Sequence, residues 1–236
     1  LSRTGDPRGA ETLVAGLGDD NPVISQSAVD GLIRIGPAAI KILEEAFEGK
    51  DVKVRRAIVS VLAAIDDERA LNTIVKAVRD HHELVRSRAA SAIGKKKPKD
   101  AIPLLIALLG DPSSEVRHET GLALKEFGQT AVAPLIESLG HANAVIRRGS
   151  AWVLGMIGDP TAAESLKETL KDADHQVRGT EGQRGAGVRG RTAAMGATTE
   201  HALLLVRQQR REDEQAGNRQ HRQEGAREPH HRAEVD

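Results

Sequence analysis

A chain of 236 residues can bury a substantial core, and its 34 Lys and Arg balance 34 Asp and Glu, so no net field draws it to nucleic acid or anionic lipid. It has no Cys and no Tyr, and only Phe47, Phe127 and Trp152 are aromatic. Disulfides, thiolate metal sites and Cys nucleophiles are thereby excluded, no apolar run reaches the ~18 residues of a membrane span, and Ala, Leu, Ile and Val must do the packing. The lack of Cys fits a reducing compartment; with no signal peptide at the start, a cytoplasmic location is expected. The chain opens on Leu1 rather than Met, as a fragment or a processed chain would.

Taken in order, the same unit recurs. Leu13 and Leu17 mark a first short helix, and after the turn "GDDNP" Ile24, Ala28 and Leu32 mark a second. The pattern returns as Leu43 and Phe47 with Val54, Ile58 and Leu62, then as Ile74 and Val78 with Val85, Ala89 and Ile93. It returns again as Leu105 and Leu109 with Val116, Thr120 and Leu124, and as Leu135 and Leu139 with Ile146, Ser150 and Leu154. Leu166, Leu170 and Val177 open a sixth unit. From Ile24 to Val177 the anchor residues are spaced 30, 31, 31, 30 and 31. Apolar residues four apart share one stripe of an α-helix, so each unit is two antiparallel helices, A then B, separated by Gly, Asp and Pro as in "GDPSS" and "GDPT". One such pair cannot bury its own stripe, whereas stacked neighbours can. The expected fold is all-α: a right-handed α-solenoid of about five to six two-helix repeats over residues 1–178. In the third unit "GKKKPKD", with Lys95, Lys96, Lys97 and Lys99, replaces the usual apolar and Gly positions. That B helix is expected to end near Gly94, with the lysines forming a solvated loop.

The stretches "VRRAIVSVLAAID", "VRSRAASAIG", "VRHETGLALKEFG" and "IRRGSAWVLGMIGDP" resemble the short HEAT-like repeats of the phycobilin-lyase type. The 34- and 33-residue TPR and ankyrin periods fit less well. An Arg follows each anchor from the second unit on, at Arg55, Arg86, Arg117, Arg147 and Arg178, with Ser25 breaking the column. Six residues before these positions stand Asp19, Asp80, Asp111 and Asp172, with Gly49 and His141 as exceptions. Such residues can bridge between repeats, and the resemblance implies the same Asp–Arg ladder, built from Asp80, Arg86, Asp111, Arg117, Asp172 and Arg178.

After Arg178 every column fails together. Residues 1–178 hold 11 Lys and 14 Ile, while residues 179–236 hold neither and carry 10 Arg and 8 Gly. So few apolar residues cannot offset the entropy of ordering. The tail is expected to be either a largely disordered Arg/Gly/Gln-rich arm or a sixth repeat read out of frame.

Function divides along the surface of the B helices. If the B helices line the concave side, as the resemblance implies, the positions opposite the buried stripe form a groove. It would present Gln26, Asp30, Arg56, Ser60, Ser87, Ser91, His118, Leu122, Lys125, Arg148 and Trp152, with Trp152 and Arg148 of the types enriched at binding hot spots. The resemblance also reaches deoxyhypusine hydroxylase, which binds di-iron through His-Glu pairs, and His118-Glu119 looks like one such pair. A metal centre needs several ligands converging, yet the equivalent positions read Gln26-Ser27, Arg56-Ala57, Ser87-Arg88 and Arg148-Gly149. The expectation is therefore a scaffold or adaptor that holds a protein or peptide, with no catalytic residue, metal or cofactor assigned. A lyase or hydroxylase of the resembling kind is the alternative.

Overall fold

Four of the five complete B helices open on a polar residue whose side chain caps them. In the computed structural model, which describes residues 9–49 and 51–178, Asn21, Asp51, His82 and Asn143 each accept a backbone N–H from the first turn of the B helix that follows. This satisfies a donor that the helix itself cannot. The tail from residue 179 onward lies outside the described residues.

The A helices are α1 (Ala10–Gly16), α3 (Ile40–Phe47), α5 (Ala70–Ala77), α7 (Ala101–Leu108), α9 (Val132–Ser138) and α11 (Ala163–Glu168). The B helices are α2 (Pro22–Ile35), α4 (Val52–Ala64), α6 (Glu83–Lys96), α8 (Ser114–Phe127), α10 (Ala144–Ile157) and the start of a sixth, α12 (His175–Arg178). Five complete pairs stack in chain order. Successive B helices pack broadly on one another, while successive A helices touch only lightly, as two rows of an α-solenoid do when one row lies inside the curve. Among the described residues no helix is long and apolar enough to cross a membrane.

The repeating apolar positions form one continuous core. Leu32, Leu43, Ile58, Leu62, Ile74, Ile93, Leu105, Leu124, Leu135, Leu154 and Leu166 are fully buried, each contributing at most about 1.5–3 kcal/mol. The first repeat is different: among the described residues α2 packs on a single B helix, α4. Ile24 is 45% exposed there, whereas Val85 and Val116 in the same column are wholly buried.

The B helices end on a left-handed or otherwise positive φ at Gly36, Gly128 and Gly158, which Gly adopts without steric cost. In the third repeat Lys97 occupies that position with φ 50°. Helix α6 thus runs on to Lys96, beyond the end at Gly94 expected from the sequence. Gly94 is interior to the helix because a Cβ there would lie 2.7 Å from the Ala123 Cα. The Lys96 ammonium is also engaged, donating to the Ile65 carbonyl at the end of α4 over 2.5 Å.

Three charge clasps tie the stack together. Arg55 donates through Nε and Nη2 to the Asp80 carboxylate at 2.7 and 3.0 Å. Arg86 meets Asp111 at 2.7 and 2.9 Å, and Arg147 meets Asp172 at 2.7 Å through both nitrogens. Each arginine reaches forward 25 residues, from one repeat to the A–B turn of the next. Its Nη1 meanwhile holds the carbonyl six residues upstream: Gly49, Asp80 and His141 for these three, Asp111 for Arg117 and Asp172 for Arg178. Each aspartate in turn accepts the amide two residues on, from His82, Ser113 or Asp174, which fixes the turn that presents it. Of the expected ladder residues, Arg117 and Arg178 hold carbonyls and form no ion pair among the described residues.

Burial opposes ionisation of Asp80, but hydrogen bonds from Arg55 and the His82 amide, with the charge of Arg55, prevail and hold its carboxyl below the usual value. At Asp172 the Arg147 hydrogen bonds are the largest influence and lower it as well. A carboxyl depressed by folding stabilises only when ionised. Its contribution is complete above about pH 5 and is lost as pH falls through ~3.9, the unfolded value, toward the lower folded values. Urea midpoints measured between pH 6 and 2.5 should therefore fall most steeply below pH 4, less so in an Asp80→Asn variant.

Removing Asp80 would strand Arg55, which is 3% exposed, and a broken buried pair costs roughly 3–5 kcal/mol. Asp19, exposed and bonded to the Asn21 amide, should cost under about 1 kcal/mol when changed to Ala. Conversely, Lys97→Gly should raise stability by about 0.5–1 kcal/mol by relieving the left-handed backbone. Urea titration of the three variants checks all three values.

Candidate binding surface

The residues expected to line a groove divide into three environments. Gln26, Asp30, Arg56, Leu122 and Lys125 are exposed on the B-helix row. Gln26 donates to Asp30 at 2.9 Å on the same helix. Ser60, Ser91, His118 and Arg148 are half-buried, while Ser87 and Trp152 are buried. Leu84, at 40% exposed, and Arg88 belong to the open surface, although the spacing rule that selected Ser87 passed over both.

Trp152 requires a correction. It is 6% exposed and fills the seam between α8 and α10 instead of the groove. Gly121 makes the room, since a Cβ at that position would lie 2.0 Å from the Trp152 ring. The His118 imidazole covers the ring, with centroids 5.6 Å apart and planes inclined by 27°. A large aromatic contributes most when fully covered.

His118 is thus a stacking partner of Trp152, with Glu119 half-buried next to it on α8. Among the described residues, no three His, Asp or Glu side chains converge into a set that could hold a metal ion. Arg148 bonds the amide oxygen of Gln176 on α12. The lysine run splits up: Lys96 caps α4, Lys97 lies 3.5 Å from Glu126, and Lys95 and Lys99 are exposed. A second concavity, of about 850 Å³, opens at the A–B turns between repeats two and three and is lined by Phe47, Arg55, Val75, Arg79 and His81. The ion pair between Lys76 and Glu48 crosses it.

Stacked helix pairs with a clasped edge and an open B-helix row define a two-helix repeat solenoid. HEAT repeats are matched at residues 40–125 and 102–182, more than half of the chain, and the chain belongs to that family. Among curated proteins it is 31% identical over 136 residues to the phycocyanobilin lyase subunit beta of Thermosynechococcus vestitus, covering 52% of this chain and 64% of that one. It is 30% identical over 91 residues to the deoxyhypusine hydroxylase of Drosophila melanogaster, covering 38% of this chain and 30% of the hydroxylase. Of solved structures, the complex of CpcE and CpcF of phycocyanin lyase from Nostoc sp. PCC7120 superposes with a TM-score of 0.51 at 24% identity, over 63% of this chain and 99% of that one. The chain is a HEAT-repeat solenoid related to phycobilin lyases, and it spans less than two thirds of either curated relative.

Gly121→Ala forces a methyl group into the Trp152 ring and should cost about 1–3 kcal/mol, the usual effect of overpacking. Paired with Trp152→Leu it should cost less than the two single losses added, because the clash is gone. Thermal or urea unfolding of the three variants measures this coupling, and strict additivity would show that the ring does not occupy the Gly121 gap.

Proposed function

We propose that the protein is a non-catalytic scaffold that holds a protein or peptide along the B-helix row. The observation that carries the reading is that Arg56, Arg88, Leu122 and Lys125 are all exposed on three successive B helices, α4, α6 and α8, of one packed frame. Guanidinium groups flanking an exposed leucine suit an extended partner with acidic and apolar side chains. Backbones of stacked helices move little on binding, so the ordering cost falls on the ligand. The relative whose structure is a complex of two subunits supports a protein as partner.

A second reading, a lyase-type subunit acting on bilin attachment, is favoured by the names of the relatives. Two experiments separate the readings. A photo-crosslinking residue at position 125 should capture the partner, one at exposed Val75 on α5 should not, and Leu122→Asp should reduce capture from position 125 at least tenfold. Equal capture from both positions would contradict the B-helix surface. Incubation with phycocyanobilin and apo-phycocyanin should leave the pigment unattached; covalent transfer dependent on this protein would establish the lyase reading instead.

A further inference from the structure

The clasps form an internal series, and one member is incomplete. At the seam of repeats one and two both partners are missing, because Ser25 stands in the Arg column and Gly49 in the Asp column. At the seam of repeats four and five the acid alone is missing: His141 stands in the Asp column while Arg117 is kept. His141 retains one task of the lost aspartate, since its Nδ1 accepts the Asn143 amide at 3.0 Å, as Asp80, Asp111 and Asp172 accept theirs. It cannot supply a carboxylate.

Arg117 is nevertheless held as its counterparts are. Its Nη1 donates to the Asp111 and Pro112 carbonyls at 2.7 and 2.9 Å, matching Arg147 on His141 and Ala142 at 2.9 and 3.1 Å. The Nε–Nη2 edge, which grips Asp in the three closed clasps, has no hydrogen bond here among the described residues. Among the described residues, the buried side-chain nitrogens and oxygens lacking any partner are two: Arg117 Nε and His118 Nδ1, neighbours in the same seam. Among the described residues Arg148, across the seam on α10, bonds the neutral Gln176 amide and meets no carboxylate. Burial and the nearby Arg148 charge also hold the Arg117 guanidinium below the usual arginine value. Buried donors without acceptors are costly, and a guanidinium edge matches two oxygens of an oxyanion.

We propose that the open clasp between repeats four and five is an oxyanion-binding site, in which the Nε–Nη2 edge of Arg117, supported by the charge of Arg148, takes a carboxylate or phosphate group. The closed clasps show how a carboxylate sits on this edge. The site stands on the clasp geometry and is independent of the scaffold reading.

The test uses the full chain labelled with ¹⁵N and follows the arginine Nε–Hε resonances. Sodium acetate and inorganic phosphate are titrated against chloride at constant ionic strength, with Arg117 assigned by the loss of its signal in Arg117→Lys. The Arg117 resonance should move saturably while those of Arg55, Arg86 and Arg147 stay in place. The anion that saturates at lower concentration distinguishes a carboxylate source from a phosphate one. In His141→Asp, which closes the clasp from within, Arg117 should shift toward the other three without added anion and need at least tenfold more ligand to respond. That variant also identifies the resonance should Arg117→Lys not fold. No response at Arg117, an equal response to chloride, or an unchanged titration in His141→Asp overturns the proposal.

Discussion

The stack depends on guanidinium groups that reach, at three of its five seams, from one repeat into the turn of the next. Apolar stripes alone would let helix pairs slide along one another, since hydrophobic contact is non-directional. A bidentate arginine with both partners almost out of water is directional and strong. Arg55 and Asp80 expose 4% and 5% of their side chains, and Arg86 and Asp111 13% and 6%. Each arginine also grips the carbonyl of its own A–B turn, so one side chain fixes both the turn and the stacking register.

Repeat length and clasp closure go together. The three 31-residue intervals, from Val54, Val85 and Ile146, are those with a closed clasp, and the 30-residue intervals from Ile24 and Val116 are not. In both shorter units the B helix passes directly into a 3-10 turn, Gly36–Ala39 or Gly128–Ala131, that leads to the next A helix. The solenoid thus contains clasped and unclasped seams in a fixed order. At the unclasped fourth seam the interface gains the Trp152 ring seated over Gly121, which places shape complementarity where charge pairing is absent.

Much of this is visible in the sequence because a solenoid repeats its physics. The anchor columns, helix pairs and columns of Asp and Arg all follow from spacing, since every repeat solves the same burial problem. The direction of the clasp is not visible: Arg86 lies six residues from Asp80 and 25 from Asp111, and only the stacking brings the distant carboxylate to the Nε edge. The environment of Trp152 was hidden for a related reason, because a helical wheel gives the face of a residue and not the gap that Gly121 leaves on the adjoining helix. Lys97 is the opposite case: no Gly marks the end of α6 in the sequence, yet a left-handed Lys completes the turn.

Hydrogen exchange of individual helices tests the clasp account most directly. If the arginine clasps carry stability between repeats, Asp111→Asn should speed amide exchange in both α6 and α8, the two helices that its clasp couples. His141→Asn, at a seam already open, should leave α8 and α10 protected as before. Exchange in Asp111→Asn confined to the turn at residues 109–113 would contradict the account, and would mean that apolar stacking alone holds the repeats in register.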